Sequence, residues 1–259
     1  MYALALSAPD LAALRDRLLE GLADRGPIAV VERAESVDGP AGEAATSYRL
    51  EGSGRYRATG SVEDLDALLA ELAADHAVAL VIGFDGLDLP RVTIGEDPEA
   101  LYAAESVSAL DPAAVDAAVN RLEPIETLES LVAKAKAAPG TDRAGAIATF
   151  TGRVRSRDGP NDTPTTELEF EKYEGIADER LRTLEAELAD RDGVFEVLLH
   201  HKTGVVEAGE DIVFVVVLAG HREEAFETVS DGINRLKAEV PLFKKEVTVE
   251  ESFWVHERS

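Results

Sequence analysis

Residues 211–226 read DIVFVVVLAGHREEAF. From Ile212 to Ala219 every side chain is apolar, the composition of a strand at the centre of a sheet. His221 and Arg222 then open a helix, REEAFETVSDGINRLKAEV, whose expected core face is Phe226, Val229, Ile233, Leu236 and Val240. Pro241 ends that helix, because proline cannot continue the backbone hydrogen-bond ladder. A central strand running into an amphipathic helix frames the second half of the chain.

Working outward, AGAIATFTGRVR reads as a strand ending in basic residues, and TTELEFEKY alternates as a half-buried strand. Between them SRDGPNDTPT carries the Gly, Pro, Asn and Asp of a mobile loop. GIADERLRTLEAELADRDG is a helix, VFEVLLHHKTG a strand, and EVTVEESFWV the final strand. This order is α+β.

The first half alternates differently. MYALALS and PIAVVER are strands around a helix with Leu11, Leu14, Leu18 and Leu22 on one face. Ser61 is the expected cap of the next helix, SVEDLDALLAELAAD, with Asp64 at its third position. The continuous run AVALVIGF suits a buried strand of a parallel sheet, and LPRVTIGE follows as another. The sequence thus predicts an α/β domain over 1–122, a helical linker over 123–143 broken at Pro139-Gly140, and an α+β domain over 144–259. All seven lysines lie at or beyond Lys134, which marks the same division.

The chain carries 51 acidic and 26 basic residues, a formal charge of -25. Spread along the chain, this charge suits a surface working in concentrated salt, where the Debye length falls to about 3 Å and self-repulsion is screened. No basic face of the kind that neutralises phosphates is evident, so nucleic acid is not an expected partner. There is no cysteine, which excludes disulfides, thiolate metal sites and a cysteine nucleophile. No run approaches the ~20 apolar residues that span a bilayer. The start MYALALSAPDL lacks the features of a signal peptide, so a cytoplasmic protein is expected.

Against this acidity three basic clusters stand out. Arg153 and Arg155 flank Val154 at a strand exit, where alternation turns both to one side as a two-pronged anion clamp. His221 and Arg222 sit at a helix start, where unpaired amides and the dipole favour anions. Lys237 ends the core-facing helix, and the turn at Pro241 brings Lys244 and Lys245 back beside it. A partly desolvated amine among other cations can serve as acid, base or nucleophile. Each of the three clusters also fits a solvated surface when taken alone. His200 and His201 are adjacent on a strand, point to opposite faces and cannot share a metal, so no metal is expected. The first strand–turn–helix, through SAPDLAAL, has neither the glycines nor the lysine of a phosphate loop, so no nucleotide is expected either.

From about Ala144 to Trp254 the chain resembles the large, catalytic subunit of molybdopterin synthase. The resemblance is carried by GAIATFTGRVR, LEFEKYEGIAD, HHKTGVVEAGEDIVFVVVLAGHREEAF and LKAEVPLFKKE followed by the single Trp. It implies an α/β-hammerhead fold and the conversion of cyclic pyranopterin monophosphate to molybdopterin. In that reaction sulfur is taken from the C-terminal Gly-Gly thiocarboxylate of a small ubiquitin-like subunit. It further implies a homodimer within a heterotetramer, Lys237 and Lys244 as catalytic residues, and a substrate site of Arg153, Val154, Arg155, His221, Arg222, Lys237, Lys244, Lys245 and Glu246. The substrate is a pterin, and no cofactor is implied. The alternative reading is a non-catalytic module that docks the C-terminus of a ubiquitin-like protein, or whose lysines are acylated by it. The first domain resembles, through RGPIAVVERAE and VALVIGFDGLDLPRVTIGE, the P-loop adapter of molybdenum-cofactor nucleotide attachment. Without the phosphate loop it is expected to be a degenerate P-loop fold that binds a partner or stabilises the dimer.

Overall fold

The computed structural model describes residues 1–36, 46–53, 55–84, 86–157, 159–160, 162–173, 175–248 and 252–255. The chain divides into two compact units, Met1–Glu126 and Thr127–Ser259.

The first unit is built on a five-stranded parallel sheet. Its strands are β1 (Tyr2–Ser7), β2 (Ile28–Glu32), β5 (Val78–Ile82), β6 (Arg91–Ile94) and β7 (Tyr102–Ala104), in the order β2-β5-β1-β6-β7. Helices α1 (Leu11–Gly21), α2 (Leu65–Leu72) and α3 (Pro112–Val119) cover it. β5 is buried at every position because both of its faces are covered. Val78, Leu80 and Ile82 pack with Leu14 and Leu18 of α1 and Val115 of α3, while Ala79 and Val81 pack with Leu69 of α2. A separate hairpin of β3 (Ser47–Leu50) and β4 (Tyr56–Thr59) is not hydrogen-bonded into this sheet. Helix α2 begins three residues later than its sequence suggests. Asp64, not Ser61, is its cap, accepting from the Ala67 amide at 2.8 Å.

The second unit has two antiparallel sheets. β8 (Ala146–Arg153), β10 (Val194–His201) and β12 (Asp211–Ala219) form one, in the order β10-β12-β8. β9 (Thr165–Lys172), β11 (Gly204–Glu207), β13 (Leu242–Thr248) and β14 (Ser252–Val255) form the other, in the order β11-β9-β13-β14. β12 is the central strand that its composition predicts. Val213, Val215 and Val217 face helices α5 (Ile176–Ala189) and α6 (Arg222–Glu239), meeting Leu184, Leu188, Ile233 and Leu236. Phe214, Val216 and Leu218 face the other way, onto Leu131 and Ala135 of helix α4 (Leu128–Ala137).

Several elements differ from their sequence reading. Residues 123–143 are shared between the units: Ile125 exchanges backbone hydrogen bonds with Met1, whereas α4 covers the β12 sheet. VFEVLLHHKTG is interrupted at Lys202 and Thr203, so that β10 and β11 enter different sheets. The single final strand is a hairpin, β13–β14, with Lys245 opposite Trp254. Phe226 is 65% exposed, and Ala225 takes its place on the core face of α6. At the crowded helix start the smaller side chain fits beneath the sheet and the larger one is turned out.

Candidate active site

The two sheets of the second unit and the last turns of α6 line an open-sided cavity of about 780 Å³. Its walls are apolar where the elements meet: Phe150 of β8, Phe170 of β9, Val213 of β12, Leu236 of α6 and Leu242 of β13. Around them stand the cations Arg153, Arg155, Arg157, Lys237 and Lys244, with the carboxylates of Asp162 and Glu246. In a chain of formal charge -25, this cationic lining is the opposite of the surrounding surface.

Each cation is delivered by a different local feature. Arg153 ends β8, where the pairing with β12 shifts register between Asp211 and Val213. Its Nε lies 3.1 Å from Asp211 Oδ1 and its Nη2 donates to the Gly209 carbonyl, so the guanidinium is oriented from behind. Beside it Gly152 has no room for a side chain: an added Cβ would stand 2.5 Å from Val213 Cγ1. Arg155 follows on the same side of the strand exit and also lines the cavity. Val154 between them is 2% exposed and packs with Leu168, Phe170 and Val206. Its amide donates to Glu210 O and its carbonyl accepts from the Gly209 amide, both at 2.9 Å, so it anchors the clamp from outside the cavity lining.

Lys237 stands on the last turn of α6, exposed and flanking Ile233, Leu236 and Val240, which line the same cavity. β13 returns after Pro241, and its alternation gives Leu242, Lys244, Glu246 and Thr248 to the cavity. Glu246 accepts a hydrogen bond from the Thr165 hydroxyl of β9, which fixes the carboxylate. Lys245 is on the opposite face. There its Nζ lies 2.8 Å from Glu169 Oε2, and this carboxylate's hydrogen bond and charge hold the ammonium above the usual lysine range. Lys245 therefore lies outside the cavity that its neighbour lines, because adjacent strand residues cannot share a face.

His221 and Arg222 are also outside it. His221 is the exposed N-cap residue of α6 with no side-chain cap bond, and the Arg222 side chain is 80% exposed, 3.8 Å from Glu223. Of the residues singled out by sequence, Arg153, Arg155, Lys237, Lys244 and Glu246 converge. Val154, His221, Arg222 and Lys245 do not.

Among the lining residues that sequence reasoning did not assign to the site are Arg157, Thr165 and His201. His201 is 9% exposed, with its ring edge-on to Phe170 at a centroid distance of 4.7 Å. Its Nδ1 is 2.7 Å from the Lys202 carbonyl, which can only accept, so the proton sits on Nδ1. The signal was present in the parity of β10: Val197, Leu199 and His201 share the buried face. His200 faces the other way and stacks on Phe214. Among the described residues no three His, Asp or Glu side chains converge on a metal-sized position, and no helix is long and apolar enough to cross a membrane.

Fold and site together define an α+β protein with an open-sided cavity whose floor is apolar and whose lining carries five cations. The MoaE protein family model matches residues 121–239. A probable molybdopterin synthase of Haloferax volcanii is 48% identical, over 100% of both chains. The molybdopterin synthase catalytic subunit of Pyrococcus abyssi is 36% identical over 43% of this chain and 74% of its own. A solved molybdopterin synthase from Staphylococcus aureus aligns at 27% identity and a TM-score of 0.46, over 52% of this chain and 94% of that one. The chain belongs to the catalytic-subunit, or MoaE, family of molybdopterin synthase.

Proposed function

We propose that the cavity of the second unit carries out the sulfur-transfer step of molybdopterin synthesis. It takes sulfur from the C-terminal thiocarboxylate of a small ubiquitin-like subunit and places it on cyclic pyranopterin monophosphate. The observation that carries this reading is the joining of Arg153, Arg155, Lys237 and Lys244 around one apolar-walled cavity in a strongly acidic chain. Substrate phosphate and donor thiocarboxylate are both anions, so bringing them together needs concentrated positive charge in a site partly shielded from water.

The roles follow from position. The guanidiniums at the end of β8 hold the phosphate, Arg153 being oriented by Asp211 and Gly209. Lys237, on the more open side, transfers protons as the thiocarboxylate sulfur displaces an oxygen substituent of the pterin side chain, and as water then cleaves the resulting thioester to leave sulfur on the pterin and a carboxylate on the carrier. Lys244 steadies the oxyanion that forms when water adds to the acyl-thio intermediate, and Glu246, tied to Thr165, fixes the lysine strand against β9. His221 and Arg222 are assigned to a second anion contact at the exposed start of α6. The sulfur needs no cysteine here because it travels on the partner, and the step needs neither metal nor nucleotide. The functional assembly is a homodimer carrying two small subunits, working in concentrated salt in the cytoplasm.

The test is sulfur transfer in high salt, with the thiocarboxylated small subunit and the cyclic precursor. Dithiolene product is read after oxidation to a fluorescent pterin. Product from the wild type that falls by about 10²-fold or more in Lys237→Ala is expected. Binding of the small subunit without any product would instead support a docking module, with the lysines as anchors for a carboxylate.

A further inference from the structure

Among the described residues, the hairpin β3–β4 of the first unit is a two-faced surface that pairs with no other strand. Its register sets Tyr48 opposite Ala58 and Leu50 opposite Tyr56 on one face, and Arg49 opposite Arg57 on the other. The apolar face is open: Tyr48, Leu50 and Tyr56 are 71%, 74% and 68% exposed, and the two tyrosine rings meet at 6.3 Å. The basic face is also unusual. Arg49, Arg57 and the preceding Arg55 are exposed, and among the described residues none of their guanidiniums has an ion pair or hydrogen bond. Like charges directly across a strand pair destabilise it, and a lone two-stranded sheet is marginal in water. In a chain of formal charge -25, carboxylates to neutralise these arginines are abundant, yet none is engaged.

We infer that β3–β4 docks an extended, acidic segment of another protein by strand addition. A strand laid on an open edge of the hairpin projects alternate side chains to its two faces. A segment alternating acidic and apolar residues puts its carboxylates beside Arg49 and Arg57 and its apolar side chains beside Tyr48, Leu50 and Tyr56. One pattern satisfies both faces at once. Single-stranded nucleic acid fits less well, because it needs aromatic and basic groups on the same side, where bases stack and phosphates are held. The hairpin of a second copy fits less well too: edge to edge, the matching parity sets its arginine row beside this one.

The experiment uses the full chain and three labelled probes, read by fluorescence anisotropy at low and high salt. These are a peptide alternating Glu with Val, the same peptide with Lys for Glu, and a single-stranded thymidine oligonucleotide. The expected result is binding of the Glu-Val peptide alone, weakened by about tenfold or more in Arg49→Glu/Arg57→Glu and by added salt. Amide hydrogen exchange on the wild-type chain supplies a readout independent of any variant: the peptide should slow exchange within Ser47–Leu50 and Tyr56–Thr59. The proposal is overturned if the Glu and Lys peptides bind alike, if neither binds, if the double variant binds as the wild type does, or if the oligonucleotide binds more tightly. It is likewise overturned if sedimentation shows that Tyr48→Ser/Tyr56→Ser abolishes a self-association that occupies the hairpin.

Discussion

Lys245 Nζ lies 2.8 Å from Glu169 Oε2, its direct cross-strand neighbour, and this pair commits Lys244 to the opposite face of β13. The two lysines are consecutive in the chain and differ completely in surroundings: one lines a cationic cavity, the other is neutralised on the outside of the sheet.

Substitution should separate them. Lys244→Ala is expected to lower kcat for sulfur transfer by about 10²-fold or more, since no neighbouring amine replaces it. Lys245→Ala is expected to change kcat by less than about threefold, because this partly exposed ion pair lies on the face of β13 away from the cavity. Steady-state kinetics of both variants, with circular dichroism to establish folding, checks this. Equal losses would mean that Lys245 reaches the substrate.

Glu185 of α5 accepts a hydrogen bond from the Leu199 amide at 2.7 Å, closing the outer edge of β10. Burial, reinforced by nearby Glu196, pushes its carboxyl up to about 7, against the lowering effect of the Leu199 amide and of Arg182 and Lys134. A folded pKa above the unfolded value means that the folded chain binds the extra proton. The penalty of ionising this buried group therefore appears as pH rises from 4.5 through about 7. Glu185→Gln keeps an acceptor for Leu199 and removes the penalty. It should stabilise the protein by about 2–3 kcal/mol near pH 8, with the gap closing toward pH 4. Denaturant melts of both proteins across that range provide the measurement, and a pH-independent difference would contradict the assignment.

At the first turn of α1 the Asp10 carboxylate accepts from the Ala13 amide at 2.9 Å, the kind of amide that a phosphate loop offers to its ligand. An anion already caps this helix. ATP and GTP at millimolar concentration are therefore expected to leave the thermal midpoint of the full chain unchanged, within about 1 °C. A rise of several degrees would show that the first unit binds nucleotide elsewhere.

Helix α4 decides where the second unit can be cut. Leu131 and Ala135 cover Phe214, Val216 and Leu218 on one face of the β12 sheet. A chain beginning at Glu123 is expected to fold and to retain sulfur transfer. One beginning at Gly140 re-exposes those side chains at about 1.5–3 kcal/mol for each fully uncovered residue, a large part of the stability of a domain this size. Thermal melts of the two truncated chains, followed by the transfer assay, distinguish these outcomes.

Much of this was legible in the chain itself, because burial and periodicity are local signals. The all-apolar runs Ile212–Ala219 and AVALVIGF read as strands covered on both sides, and β12 and β5 are buried on both faces. The concentration of lysine after Lys134 marked the half of the chain that carries the cavity, and strand parity brought Arg153 and Arg155 to it together. What the sequence could not decide depends on which face meets what. Whether Lys244 or Lys245 faces inward depends on the pairing of β13 with β9, contacts about 76 residues apart. Whether Phe226 or Ala225 fills the α6 core face depends on the space left under the β12 sheet. The parity of β10 turns His201 to the buried face, but that this face meets Phe170 of the other sheet was decided by tertiary packing. Composition and period determined which segments are buried and which charges are exceptional. Register, a property of two strands and never of one, decided which of those charges meet.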